Sequence, residues 1–406
     1  MKRIIATILI AAMVIAIALS ACGGSGDPVD NAQQQAEAQG LTLHRIGVAV
    51  YNIADAEVMA FRNYLEDYIE SCFSDVDFYY SNSITNAEDE LKFINGAIDA
   101  GVEGIMSFIT YDIKAEVETC AENGVYYMLA SGTVSDEAFE SVADNEYFLG
   151  IVGPGSQIEL SAAGDMAKSI IAQSEGDTYL VLSGGGSLGN DMHYLRTRAI
   201  LDELVRAYGI TGVDTDAMAL SADRNVIEGG GASITVLPGY ISREQYREQA
   251  AQEITGGGYA AVMSAMAVTN VLSELKSAGV CVGVIDSFTE DNRVAFQQGT
   301  IHYVAGKYCS EIGPSFAAMY NAVTGHADGF RDNGRAFRIT QGFWSADSFE
   351  SYDEMNALAS GTVVNAYNYE DLYSVCVELN PDASLEELVE LAQAYTYDDA
   401  LTRRAD

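Results

Sequence analysis

The sequence predicts an α/β protein made of two successive units, each a parallel sheet with helices on both faces, and three observations predict it. Of the 406 residues 49% are apolar, and Pro is scarce at 5 against 38 Gly, so the chain can bury a large core over two lobes. Short apolar runs alternate with segments of helical periodicity along most of the chain. The pattern also echoes itself: Gly104-Ile105-Met106-Ser107-Phe108 leads through a helix to Gly124-Val125, and Ala261-Val262-Met263-Ser264-Ala265 leads through a helix to Gly279-Val280.

The first element is a strand over 45–50, followed by a helix whose apolar face is Val58, Phe61, Leu65, Tyr68 and Ile69. A strand at 76–80 precedes Thr85-x-x-Glu88, a capping box for a helix through Leu91, Ile94 and Ile98 that stops before Gly101. Strands follow at 104–109, 125–130 and 148–152, with a helix through Ile113, Val117, Cys120 and Ala121 between the first two. Ser156-x-x-Glu159 reads as the cap of a helix through Met166, Ile170 and Ile171. The second unit has strands at 178–182, 233–237, 260–263 and 280–285, separated by helices at 194–208, after Ser242-x-x-Gln245 and at 271–278. Continuous apolar strands suit parallel sheets because helices cover both faces. One last strand is expected over 337–344, then helices between 349 and 394, one capped by Ser384-x-x-Glu387.

The amino terminus reads as an address. Lys2 and Arg3 precede an apolar run over 4–19, and Leu19-Ser20-Ala21-Cys22 sets small residues before a cysteine. This resembles a bacterial lipoprotein signal, in which Cys22 takes the lipid and the peptide before it is removed. An uncleaved membrane-spanning anchor is the alternative reading. Residues 22–43, rich in Gly, Ser, Asp, Gln and Ala, read as a tether.

The 59 acidic residues against 21 basic give a net charge of −38, which repels phosphate backbones and excludes nucleic acid as a partner. Cys72, Cys120, Cys281, Cys309 and Cys376 are scattered without metal-type spacing and read as small core residues, with one disulfide left open. His44, His193, His302 and His326 are equally dispersed, so no metal and no cofactor is implied.

Over 44–344 the order of elements resembles the type I periplasmic-binding-protein family, in particular the ribose- and galactose-binding proteins of ABC importers. The stretches that carry the likeness are Ile46-Gly47-Val48-Ala49-Val50, Arg196-Thr197-Arg198, and Gly283-Val284-Ile285-Asp286 with Val294-Ala295-Phe296-Gln297-Gln298-Gly299-Thr300. The resemblance implies two Rossmann-like lobes joined by three crossings, near 152–156, 305–308 and 337–340, with the ligand held where the strands end. It divides the chain into a leader at 1–21, a tether at 22–43, an N-terminal lobe at 44–152 plus 308–337, and a C-terminal lobe at 153–307 plus 338–406 that includes a helical extension.

Carried over by position, Arg198 is the second arginine of the R-x-R run that donates to sugar hydroxyls, and Asp286 is the acidic residue that accepts from them. The first lobe departs from the family pattern. Ala130-Ser131 stands for its Asp-Arg pair, Glu57-Val58 for its aromatic pair, and Lys307 for an uncharged polar residue. Tyr51, Asn52, Asp55, Tyr111 and Ser131 are the candidates for the first-lobe wall, and Lys307 joins Arg198 and Asp286 opposite them. The function implied is capture of a small polar solute, sugar or sugar-like, by a monomer that docks on an ABC permease and is held to the membrane by its lipid. The same likeness leaves room for a sensor that hands its ligand to a membrane receptor.

One motif competes. Gly185-Gly186-Ser187-Leu188-Gly189 spells a nucleophile elbow, and Asp286 with His302 or His326 follows in the order that a serine esterase uses. The overlapping Gly184-x-Gly186-x-x-Gly189 fits a dinucleotide fingerprint, but Asp202 and Glu203 fall inside a helix and not at the end of a strand.

Overall fold

The computed structural model describes residues 40–359 and 366–405; Cys22, the leader and most of the expected tether lie outside them. Two sheets form. The first carries β1 (His44–Ala49), β2 (Val76–Tyr80), β3 (Gly104–Ser107), β4 (Tyr126–Leu129), β5 (Phe148–Gly153) and β12 (Phe337–Thr340). Its order is β12-β5-β4-β3-β1-β2, and every pairing is parallel. The second holds β6 (Thr178–Gly184), β7 (Asn225–Gly229), β8 (Ala232–Pro238), β9 (Ala261–Ser264), β10 (Cys281–Ile285), β11 (Tyr303–Gly306) and β13 (Trp344–Ala346), in the order β13-β11-β10-β9-β6-β8-β7. Only its two edge strands, β7 and β13, run antiparallel to their neighbours.

The strands are apolar on both faces because both faces are covered. Gly104, Ile105, Met106 and Ser107 of β3 are all buried, as are Ala261, Val262, Met263 and Ser264 of β9. Glycine matters where strands come closest: at Gly150 a side chain would meet Phe337 O at 2.1 Å, so β12 docks on β5 only because none is there.

The helices that bear on function are α1 (Ala56–Asn63) and α2 (Ala87–Asp99) after β1 and β2, α3 (Ile113–Glu122) after β3, and α4 (Gly155–Gln173) after β5. In the second unit α5 (Asp191–Ala207) follows β6 and α6 (Glu290–Gln297) follows β10. After β11 comes α7 (Gly313–Asn321), and the carboxyl-terminal region adds α8 (Phe349–Ala359), α9 (Tyr369–Ser374), α10 (Leu385–Gln393) and α11 (Tyr397–Ala405). The Ser384 capping box is formed as expected. Three other caps differ. Asn86, not Thr85, caps α2; Arg243 stands at the cap expected of Ser242; and α4 starts at Gly155, with its Glu159 buried and otherwise engaged.

The chain passes between sheets three times: at Pro154, across 307–312, and across 341–343. The run expected as one strand over 337–344 is two, because β12 pairs with β5 of the first sheet and β13 with β11 of the second. Residues 338–340 therefore sit in the N-terminal lobe. Much of the extension packs there too: Tyr64 Oη donates to Tyr367 O at 3.0 Å, and Asn321 Nδ2 donates to Val375 O at 2.8 Å. Gln341 ties the crossings together, its N–H donating to Gly153 O at 2.8 Å and its Nε2 to Glu311 O at 3.0 Å and Tyr367 Oη at 3.1 Å. Strand β7 was not legible in the sequence, since Ile227 is its one buried residue and the rest reads as a polar loop.

Among the described residues Cys72, Cys120, Cys281 and Cys376 are free thiols, and no helix is long and apolar enough to cross a membrane.

Candidate functional site

The segments leaving the carboxyl ends of β1, β4, β10 and β11 meet between the sheets. Asp55 caps α1, accepting the Glu57 N–H at 2.9 Å, and this fixes the Glu57 side chain at the mouth of the first lobe. Tyr51 Oη donates to Asp55 Oδ1 at 3.1 Å and to Glu57 Oε2 at 2.9 Å. From the second lobe, the Ser287 hydroxyl donates to Glu57 Oε1 at 2.5 Å. Gly306 makes room for this loop, because a side chain there would collide with Asp286 O at 1.6 Å.

Lys307 leaves β11 into the same space. Its Nζ lies 3.5 Å from Glu57 Oε1 and 3.4 Å from Glu311 Oε1, and donates to Ser131 Oγ at 2.7 Å. Ser131 Oγ in turn donates to Glu311 Oε1 at 2.5 Å. Asp286 accepts from Asn292 Nδ2 at 2.7 Å and from Ser287 N–H at 2.8 Å. Beside them Arg196 grips Glu159 through Nε and Nη2 and donates from Nη1 to Ala265 O at 3.1 Å.

Burial raises Asp286 to about 7 against its hydrogen bonds, with the charges of Glu57 and Asp55 adding to the rise. Glu311 is likewise raised to about 7 by burial, opposed by Lys307. Burial also acts against ionised Glu57, but Lys307, Ser287, Tyr51 and Arg196 outweigh it and hold this carboxyl below its ordinary value. Lys307 is raised, because Glu311 and Glu57 overcome its desolvation. The site is therefore a buried, mostly acceptor-rich polar cluster bridging both lobes.

The structure brings together Tyr51, Asp55, Ser131, Asp286 and Lys307 of the expected residues. Asn52 lies in the same loop but uses its Oδ1 locally, accepting the Ala54 N–H at 3.0 Å. Tyr111 stands at the rim, 47% exposed, and its N–H donates to the buried Glu90 and Glu116, each at 3.0 Å. Arg198 does not join the cluster: it faces outward toward Asp216 at 3.2 Å and Asp202 at 3.7 Å. The inward arginine is Arg196. A helical wheel shows why, since Arg196 shares the buried face with Ile200 at i+4, and Arg198 shares its face with Asp202. Glu57, Glu159, Ser287 and Glu311 enter the cluster without being among the expected residues; in the sequence Glu57 shows only as a departure from the family pattern, and Glu159 only as the end of a capping-box spacing.

The esterase constellation does not form. His302 Nδ1 accepts the Val282 N–H at 3.2 Å, His326 pairs with Glu378 at 3.1 Å, and the Asp286 carboxylate is taken by Asn292 and Ser287. His193 is the imidazole beside the glycine-rich turn, accepting the Gly185 N–H at 2.9 Å, and burial drives its pKa down to about 3.

With two parallel-sheet lobes and three crossings, the chain has the type I periplasmic-binding-protein fold. An ABC transporter solute-binding protein from Bacillus halodurans, solved with bound myo-inositol, is similar at 15% identity, with 78% of this chain and 98% of that one covered and a TM-score of 0.57. An ABC transporter periplasmic solute-binding protein from Actinobacillus succinogenes with bound D-allose matches at 11% identity over 77% and 99% of the two chains, TM-score 0.57. A protein from Bacteroides fragilis described as a LacI transcriptional regulator is similar as well, at 12% identity over 77% and 99% of the two chains, TM-score 0.53. No family model and no curated protein matches the sequence.

Proposed function

We propose that the protein is an extracytoplasmic solute-binding protein that captures a small polar, sugar-like ligand between its lobes for an ABC importer, held at the membrane through lipid on Cys22. The observation that carries this reading is the polar cluster at the strand ends, joined across the lobes by Ser287 to Glu57, Lys307 to Glu57 and Lys307 to Ser131. Hydroxyl-rich solutes suit such a site, because they supply donors that Asp55, Asp286 and Glu311 can still accept once water leaves. Similar structures hold myo-inositol and D-allose, which are of that chemistry. Binding is coupled to hinge closure and involves no bond making.

The test is thermal unfolding of the purified chain against sugars, polyols, nucleosides and amino acids, with a chromogenic ester in parallel. A solute at a hundredfold over its Kd adds about 2.7 kcal/mol, a rise of several degrees in Tm. No shift with any hydroxyl-rich solute, together with ester turnover lost in Ser187→Ala, would overturn the reading.

A further inference from the structure

We infer, resting on the reading of this cleft as the solute site, that the solute carries a protonated amine alongside its hydroxyls, as an amino sugar or an aminated cyclitol does.

Five carboxyls belong to the cluster or its edge, Asp55, Glu57, Glu159, Asp286 and Glu311, against two cations. Arg196 is closed on Glu159 by both prongs of its guanidinium. Lys307 lies between Glu57 and Glu311. No cation of the protein pairs with Asp55 or Asp286 among the described residues, since the two cations in the cluster are held by Glu159, Glu57 and Glu311.

A second observation points the same way. Asn292 is fully buried, its Nδ2 donates to Asp286 Oδ2 and Ser287 O, and its Oδ1 has no partner among the described residues. An orphaned buried acceptor beside a carboxyl that has no cationic partner lacks both a donor and a positive charge. An ammonium supplies three donors and the charge in one group. A neutral sugar supplies donors only, and a uronic acid adds a negative charge.

The groups facing Asp286 are Glu57 and Asp55 from the first lobe, Asn292 from α6, its own neighbour Ser287, and Tyr352 from α8. Glu57 is already satisfied by Lys307, Ser287 and Tyr51, so it does not compete for the incoming charge.

The experiment is calorimetric titration of the purified chain at neutral pH with D-glucosamine, D-galactosamine, D-mannosamine and an inosamine, each beside its neutral parent and, for the hexoses, the uronic acid. The expected result is one amine that binds at least tenfold tighter than its neutral parent, with the ratio narrowed in Asp286→Asn and, independently, in Asp55→Asn. A neutral parent or a uronate that binds as tightly as its amine overturns this inference and leaves the solute-binding reading intact. Failure of every compound in this panel and in the thermal screen overturns both.

Discussion

Arg196 and Glu159 form a two-pronged ion pair between α5 and α4, with Nη2 3.0 Å from Oε1, and both side chains are almost wholly inside. Arg198, two residues on, holds its carboxylate partners in solvent. Breaking one side of a buried pair leaves a charge uncompensated and costs about 3–5 kcal/mol, whereas an exposed pair is worth about 0–1 kcal/mol. Arg196→Ala should therefore lower the denaturation midpoint strongly and Arg198→Ala hardly at all. Equal effects in urea unfolding would contradict the register assigned to this helix.

Ser287→Ala removes the hydroxyl that reaches Glu57 across the cleft. A hydrogen bond to a charged group is worth about 1.5–3 kcal/mol, so the closed form should lose population to the open one. Small-angle scattering should show a larger radius of gyration for the variant. An unchanged profile would mean that this bond does not hold the lobes together.

Glu90 is raised to about 9 by burial and by the charge of Glu116. Its proton is bound more tightly in the folded than in the unfolded chain, so its contribution is complete below the unfolded value, 4.5, and is lost as pH rises toward 9. Glu90→Gln, which keeps an acceptor for the Tyr111 N–H and cannot ionise, should flatten the decline of Tm over that range. Parallel pH profiles for the two proteins would exclude this role.

Trp344, the one tryptophan, donates from Nε1 to Tyr395 O and lies against Tyr308, Tyr395 and Tyr397. Tyr395→Ala should shift its fluorescence to the red and cost about 3–5 kcal/mol, as large core truncations do. An emission maximum that does not move would show that the extension does not shield this ring.

The strands were legible because burial on both faces writes itself as continuous apolar runs, and nearly all of those at 45–50, 76–80, 104–109 and 178–182 fall where the sheets have them. Edge strand β7 was not, since a strand buried on one residue has no signature. Asp286, Lys307, Tyr51 and Asp55 could be found because they follow strands, and strand ends converge in this architecture. Glu311 could not, because it lies on a crossing whose destination depends on how two sheets are stacked. Which arginine joins the cluster is a question of helical phase, which Ile200 and Leu204 answer once the buried face is traced.

The carboxyl-terminal extension fastens at both ends of the hinge. Tyr352 Oη donates to Thr289 O and Asp353 pairs with Arg293 on one side; Tyr369 N–H reaches Tyr68 Oη on the other, and Tyr395 takes the Tyr308 N–H between them. Under the proposed function, a swing of the lobes would work against this bracing. For a solute-binding protein of this build, apparent affinity would be a difference between grip in the cleft and resistance at its back, adjustable by residues that the solute never meets.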